Sequence, residues 1–166
     1  MLRDKKLILL SHCILNQNSV VLPLARSKGG FEIAKFLIDQ GIGIIQLPCP
    51  EFKFLGLQRK PMNKKEYDSP EYRTLCRELF TPILEDIKKY LAEDYSLVGI
   101  LGINESPTCS ITGKRGIFME EIFSMLNDQA IDIKYFDIPT NYAEDMVLTD
   151  LYNNINRNLN INFVSK

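Results

Sequence analysis

Three cysteines each follow an apolar run of the chain: Cys13 after "KLILLS" (6–11), Cys49 after "GIGIIQL" (41–47), and Cys109 a few residues past "LVGILGI" (97–103). Thiolates are nucleophiles and soft metal ligands, so three of them meeting from distant segments make a site without any local CxxC spacing. Cys49 is held most stiffly, between Pro48 and Pro50 in "IIQLPCPEF". Both rings restrict the backbone around it. Glu51 follows, with a carboxylate that reads either as a proton-transfer group or as an acid at a helix start or loop cap. The plainer reading of any one cysteine is a small buried hydrophobe. Cys76, in "YRTLCREL", is assigned that role, because it falls mid-helix between Leu75 and Leu79.

Thiolates suit iron–sulfur clusters and zinc, and three protein ligands leave one metal position open, the mark of a catalytic rather than a structural site. A structural zinc would want a fourth ligand, and no obvious one is present. Ser106, before Pro107, reads either as a substrate-orienting or cluster-facing donor or as a turn hydroxyl. Asn16 and Asn18 read either as hydrogen-bonding partners of a pyrimidine-like ring or as the turn after the first strand. His12 is the only histidine. Were the strand to continue through it, His12 would point away from Cys13, so it is assigned a structural role. "CSITGKR" (109–115) also fits the C-x5-R spacing of a cysteine phosphatase, with Cys109 as nucleophile and Arg115 on the phosphate. That chemistry needs neither Cys13 nor Cys49.

The elements that would position these groups are legible as alternating runs. The first three apolar runs are nearly continuous, as in strands buried on both faces of a parallel sheet. "IDIKYFDI" (131–138) alternates more and suits an edge. Between them, residues 30–40 put Ile33, Ala34, Leu37 and Ile38 on one helical face, with Gly41 as a stop. Residues 70–93 start with Ser69 as N-cap and Pro70 in the first turn, and carry Leu75, Leu79, Ile83, Ile87 and Leu91 down one face. Thr81-Pro82 predicts a kink or restart. Residues 117–128 and 141–157 supply two more amphipathic stretches. The expected fold is a single α/β domain over 1–166, a small doubly wound, Rossmann-like or flavodoxin-like parallel sheet of about four strands with helices on both faces. In such a sheet the ligand site lies beyond the carboxyl ends of the strands, where all three cysteines fall. Residues 50–69 lack periodicity and read as an active-site loop, with Phe52, Phe54, Arg59 and Lys60 either in a lid or on an ordinary surface loop. Residues 158–166 read as a loose tail.

Composition narrows the class. The 166 residues carry 20 Lys+Arg against 21 Asp+Glu, a formal charge of -1, so no broad field draws nucleic acid or an anionic membrane. "MLRDKKLILLSHC" has too short an apolar run and no small-residue cleavage site for a secretory signal. No run reaches the length of a spanning helix. A cytoplasmic chain with reduced thiols is expected, acting on a small molecule; a homodimer is left open.

"SHCILNQNSV", "LPCPEF…GLQR" and "ESPTCS…GIFMEE" together resemble the three motifs of the family that contains the bacterial thiouracil desulfurases, whose pattern runs as a cysteine-containing CLLG segment, CPE, and SPSCG. The resemblance spans residues 11–121. It implies a [4Fe-4S] cluster held by Cys13, Cys49 and Cys109, a fourth iron free to bind sulfur, and Glu51 as the acid of CPE. It also implies the reaction: a thiocarbonyl sulfur on the open iron, attack by water on its carbon, and release of sulfide. The chain departs from the pattern at Asn16 and at Ser110, where the family has glycine. A sulfur carrier or sensor would use the same cysteines without turnover.

Overall fold

The computed structural model describes residues 2–164. The four apolar runs form one all-parallel sheet of β1 (Lys6–Leu10), β2 (Gly43–Gln46), β3 (Ser96–Ile103) and β4 (Tyr135–Ile138), in the order β2-β1-β3-β4. Between and after them run α1 (His12–Leu15), α2 (Glu32–Asp39), α3 (Pro50–Leu55), α4 (Lys64–Tyr67), α5 (Pro70–Ala92), α6 (Ile117–Asp128) and α7 (Thr149–Leu159). Side chains alternate across the sheet. Leu9 and Ile100 therefore pack into one core with α5 and α6. Ile8, Leu10 and Leu101 pack into the other with α2 and α7. The protein is a doubly wound α/β domain, as expected. The chain winds from β1 outward to β2, then crosses back to β3 and on to β4. Strand order thus reverses between β1 and β3, and the carboxyl-end crevice opens there.

Several boundaries differ from expectation. β2 is an edge strand with both isoleucines only half-buried, so its apolar run does not mark burial on both faces. In α2 the face is Ile33, Ala34 and Leu37, while Ile38 is 59% exposed. Gly41 ends the helix at φ +75°, a conformation that glycine adopts without strain. Ser69 caps α5 by accepting from the Tyr72 N–H, but the buried line is Tyr72, Cys76, Phe80, Leu84 and Ile87, offset from the leucine stripe. Pro82 lies inside α5 without ending it. The last amphipathic stretch becomes helical only at Thr149.

Residues 50–69 are not an irregular loop. Pro50 takes the first turn of α3, Gly56 stops it at φ +76°, and Asn63 and Glu66 form a reciprocal capping box at α4. The tail is anchored as far as it is described: Leu159 and Ile161 are buried, Phe163 meets Phe36 edge-on, and Val164 and Gln40 exchange two hydrogen bonds. Residues 165–166 lie outside the described residues.

Candidate functional site

A cavity of about 350 Å³ opens at the carboxyl ends of the strands and is lined by Cys13, Cys49 and Cys109 together. Each cysteine arrives by a different local device. After β1 the chain turns at Ser11 into α1, whose second residue is Cys13. Ser11 is pinned because its N–H and its hydroxyl both donate to the Leu101 carbonyl. Cys49 is the N-cap of α3, placed by Pro48 and Pro50. Cys109 sits in the loop between β3 and α6.

That loop is the most heavily braced part of the site. Ser106 Oγ accepts from the N–H groups of Thr108 (3.3 Å) and Cys109 (3.0 Å). Thr108 Oγ1 shares a 2.8 Å hydrogen bond with the buried Tyr72 hydroxyl of α5. Asp137 of β4, itself buried, accepts from the Ile111 N–H (3.0 Å), the Thr112 N–H (2.8 Å) and the Thr112 hydroxyl (2.6 Å). Two glycines permit the close approach. A Cβ on Gly102 would collide with the Asp137 carboxylate and the Cys109 carbonyl. A Cβ on Gly116 would stand 2.5 Å from the Thr108 carbonyl oxygen and 2.7 Å from the Cys109 nitrogen.

Burial governs the thiols. It pushes Cys13 up to about 12, with the neighbouring Cys49 adding to the rise and Arg26 opposing it. It raises Cys49 against the N–H of Phe52 at the start of α3. It raises Cys109 well above the usual thiol range, with Cys13 and Cys49 both contributing. Cys76 is buried in the core beneath α5, as expected.

Glu51 lines the same cavity, at the first turn of α3. Its carboxylate faces Arg59 at 3.4 Å, and that guanidinium is fixed by donating to the carbonyls of Ser19 (2.6 Å) and Gly56 (2.9 Å). Arg59 is therefore a buried brace, with only 2% of its side chain exposed, rather than a surface lid residue. Phe52 and Phe54 are partly exposed. The Tyr67 phenol stands beside the pair; burial and the Glu51 charge raise its pKa.

Ser106 lines the cavity. Asn16 and Asn18 do not: Asn16 Oδ1 caps the 3-10 turn that follows α1 by accepting from the Asn18 N–H and side-chain amide, so both make the turn. Gln17 and Ser19 from that turn reach the cavity instead. His12 also lines it, because the strand has ended and α1 has begun. Its Nδ1 faces the Leu47 carbonyl at 3.1 Å, so Nδ1 carries the proton and Nε2 is left facing the Asn16 amide at 3.4 Å. Burial lowers its pKa, against the Leu47 bond.

Arg115 is engaged elsewhere, its Nε on the Ile111 carbonyl and its guanidinium 4.2 Å from the Phe123 ring centroid. Three N–H groups of that loop are already engaged, those of Ile111 and Thr112 by Asp137 and that of Ser110 by the Ser106 carbonyl. Arg115 is not among the residues that line the cavity with Cys109. Sequence reasoning passed over Gln17, Arg26 and Asp137, whose roles depend on contacts many residues away.

The protein is similar to the uncharacterized protein MJ0003 of Methanocaldococcus jannaschii, with 43% identity over 141 residues, 84% of this chain and 90% of the relative. The chain belongs to that protein's family. No family model matches the sequence, and no solved structure matches it.

In this member of the MJ0003 family, no group of three His, Cys, Asp or Glu side chains among the described residues is arranged to hold a single metal ion. A cluster asks for a different arrangement, because each thiolate binds its own iron and the sulfurs stand apart around the cage. Cys13, Cys49 and Cys109 line one cavity, a set of soft donors whose chemistry suits iron–sulfur ligation. No helix among the described residues is long and apolar enough to cross a membrane.

Proposed function

We propose that the protein is a desulfurase that exchanges the sulfur of a thiolated small molecule, thiouracil-like in its thiocarbonyl, for oxygen, using a [4Fe-4S] cluster held by Cys13, Cys49 and Cys109. The observation that carries this reading is the convergence of three thiols from three strand ends, with one carboxylate, on a single cavity. When bound, the cluster would supply a Lewis-acidic iron with affinity for sulfur, which makes the thiocarbonyl carbon more electrophilic.

The remaining work falls to side chains. Val20, Val21, Leu24, Ile103 and Pro107 give the cavity an apolar wall. Glu51, oriented by Arg59, takes a proton from the water that attacks the carbon and returns it to the departing sulfur or to a ring nitrogen. C=S and water become C=O and hydrogen sulfide, with no change of oxidation state. Ser106 has its oxygen occupied by two N–H donors, which leaves the hydroxyl hydrogen to bond the substrate. Thiols kept reduced for this purpose suit the cytoplasm.

The test is Glu51→Gln in anaerobically reconstituted protein. It retains the visible spectrum of the wild type and loses sulfide release by about a hundredfold or more, the usual weight of a general base. Full turnover in that variant removes Glu51 from the role. Release of a single equivalent of sulfide by the wild type, without turnover, indicates a carrier.

A further inference from the structure

We propose that Arg26 forms a carboxylate subsite at the Cys13 side of the cavity, so that the substrate is a thiocarbonyl compound bearing an acid group. Arg26 lines the cavity and is half-buried. Its Nη1 donates to the carbonyls of Pro139 (2.7 Å) and Thr140 (3.1 Å), and its guanidinium lies 5.4 Å from the Phe31 ring centroid. Its backbone N–H donates to Gln17 Oε1 at 2.8 Å, while Gln17 Nε2 donates to the Cys13 carbonyl at 2.8 Å. One glutamine thus fixes the arginine relative to the first cysteine. The cation is preorganised, and little ordering remains to be done when a ligand arrives.

What this cation lacks is a carboxylate partner. Among the described residues the ion pairs involve Arg59, Arg73, Arg77 and four lysines, and Arg26 joins none of them. Of the cavity's carboxylates, Glu51 faces Arg59 and Glu105 is exposed at the rim. Nε and Nη2 of Arg26 take no hydrogen bond among the described residues, and neither is a fully buried orphan. That edge of the guanidinium presents two parallel N–H groups, the geometry that binds a carboxylate with two teeth. Leu24, Val20 and Val21, which line the same cavity, offer an apolar wall for the body of a small acid.

This proposal rests on reading the cavity as the desulfurase site, and the experiment separates the two. Reduced, metal-free full-length protein is titrated with benzoate and with benzamide and followed by NMR, including the Arg26 Nε–H signal. Benzoate binds at least about tenfold tighter than benzamide, as expected for a charge-assisted pair. Arg26→Gln abolishes that preference, and Arg26→Lys, which keeps the charge without the fork, retains part of it. Should Arg26→Gln misfold by circular dichroism, the wild-type ratio and the lysine variant decide the matter. Equal affinities in the wild type, or a benzoate preference that survives in Arg26→Gln, overturn the subsite. Iron uptake is measured alongside. Failure of Arg26→Gln alone to take up iron makes the arginine a counter-charge to the thiolates and also overturns the proposal. Failure of the wild type to take up iron sinks the desulfurase reading, while the benzoate preference still decides the subsite.

Discussion

Asp137→Ala tests whether one buried carboxylate on β4 holds Cys109 in place. The substitution removes the acceptor of three donors: the Ile111 N–H, the Thr112 N–H and the Thr112 hydroxyl. Ile111 is 2% exposed, so its N–H stays buried without a partner, at a cost of about 2 kcal/mol. Thr112 is exposed and its two donors turn to water, each losing about 0.5–1 kcal/mol of net bonding. The total is about 3–4 kcal/mol, which for a domain of this size lowers the melting temperature by roughly 10 °C. Asp137→Asn keeps one acceptor oxygen and falls between the two. The assay is thermal unfolding of metal-free protein, with site-resolved alkylation by mass spectrometry as the local readout. Alkylation of Cys109 accelerates in the alanine variant, while that of Cys76, in the core beneath α5, does not. A melting shift under about 2 °C with unchanged Cys109 labelling would refute the reasoning.

Two further outcomes follow from the same geometry. Because Cys13 is raised from its ordinary 9.0 to about 12, and Cys49 and Cys109 are raised with it, the folded metal-free protein holds thiol protons that the unfolded chain loses above pH 9. The unfolded state then binds fewer protons, so stability falls as pH rises from 9 toward 12, by up to about 1.4 kcal/mol per pH unit per thiol; a flat urea midpoint from pH 8 to 10.5 would contradict this. Gly116→Ala drives a Cβ into the Thr108–Cys109 backbone and destabilises by about 1–3 kcal/mol, as overpacking does, with slower iron uptake; wild-type denaturant stability would show that the loop has room.

The sheet was readable from sequence because each strand is a short apolar run with a helix-length interval after it. What the runs do not encode is lateral order. β2 and β1 look alike in composition, yet β2 is an edge and β1 is central, since that depends on which crossover packs where. In α5 the leucines suggested a stripe, but Tyr72 and Phe80 bury more surface and turn the helix toward their side, with small Cys76 fitting beneath. The short α3 and α4 were invisible to periodicity, although Pro50, Gly56 and Asn63 were their start and stop signals. At the site, the three cysteines and Glu51 were legible from their places at strand ends. His12 lines the cavity because β1 ends at Leu10 and α1 begins at His12, so strand alternation does not set its direction. Arg26, Gln17 and Asp137 left no local mark: Arg26 reaches carbonyls 113 and 114 residues away, and Asp137 holds amides 25 and 26 residues away.

The central claim is that Cys13, Cys49 and Cys109 hold one cluster and Cys76 does not. Its most direct measurement is iron content with visible absorption after anaerobic reconstitution of the wild type and of the four single Cys→Ala variants. The account predicts about four irons per chain in the wild type and in Cys76→Ala, with severe loss in each of the other three. Wild-type protein with intact thiols that takes up no iron, or Cys13→Ala and Cys49→Ala variants that load as fully as the wild type, would contradict it.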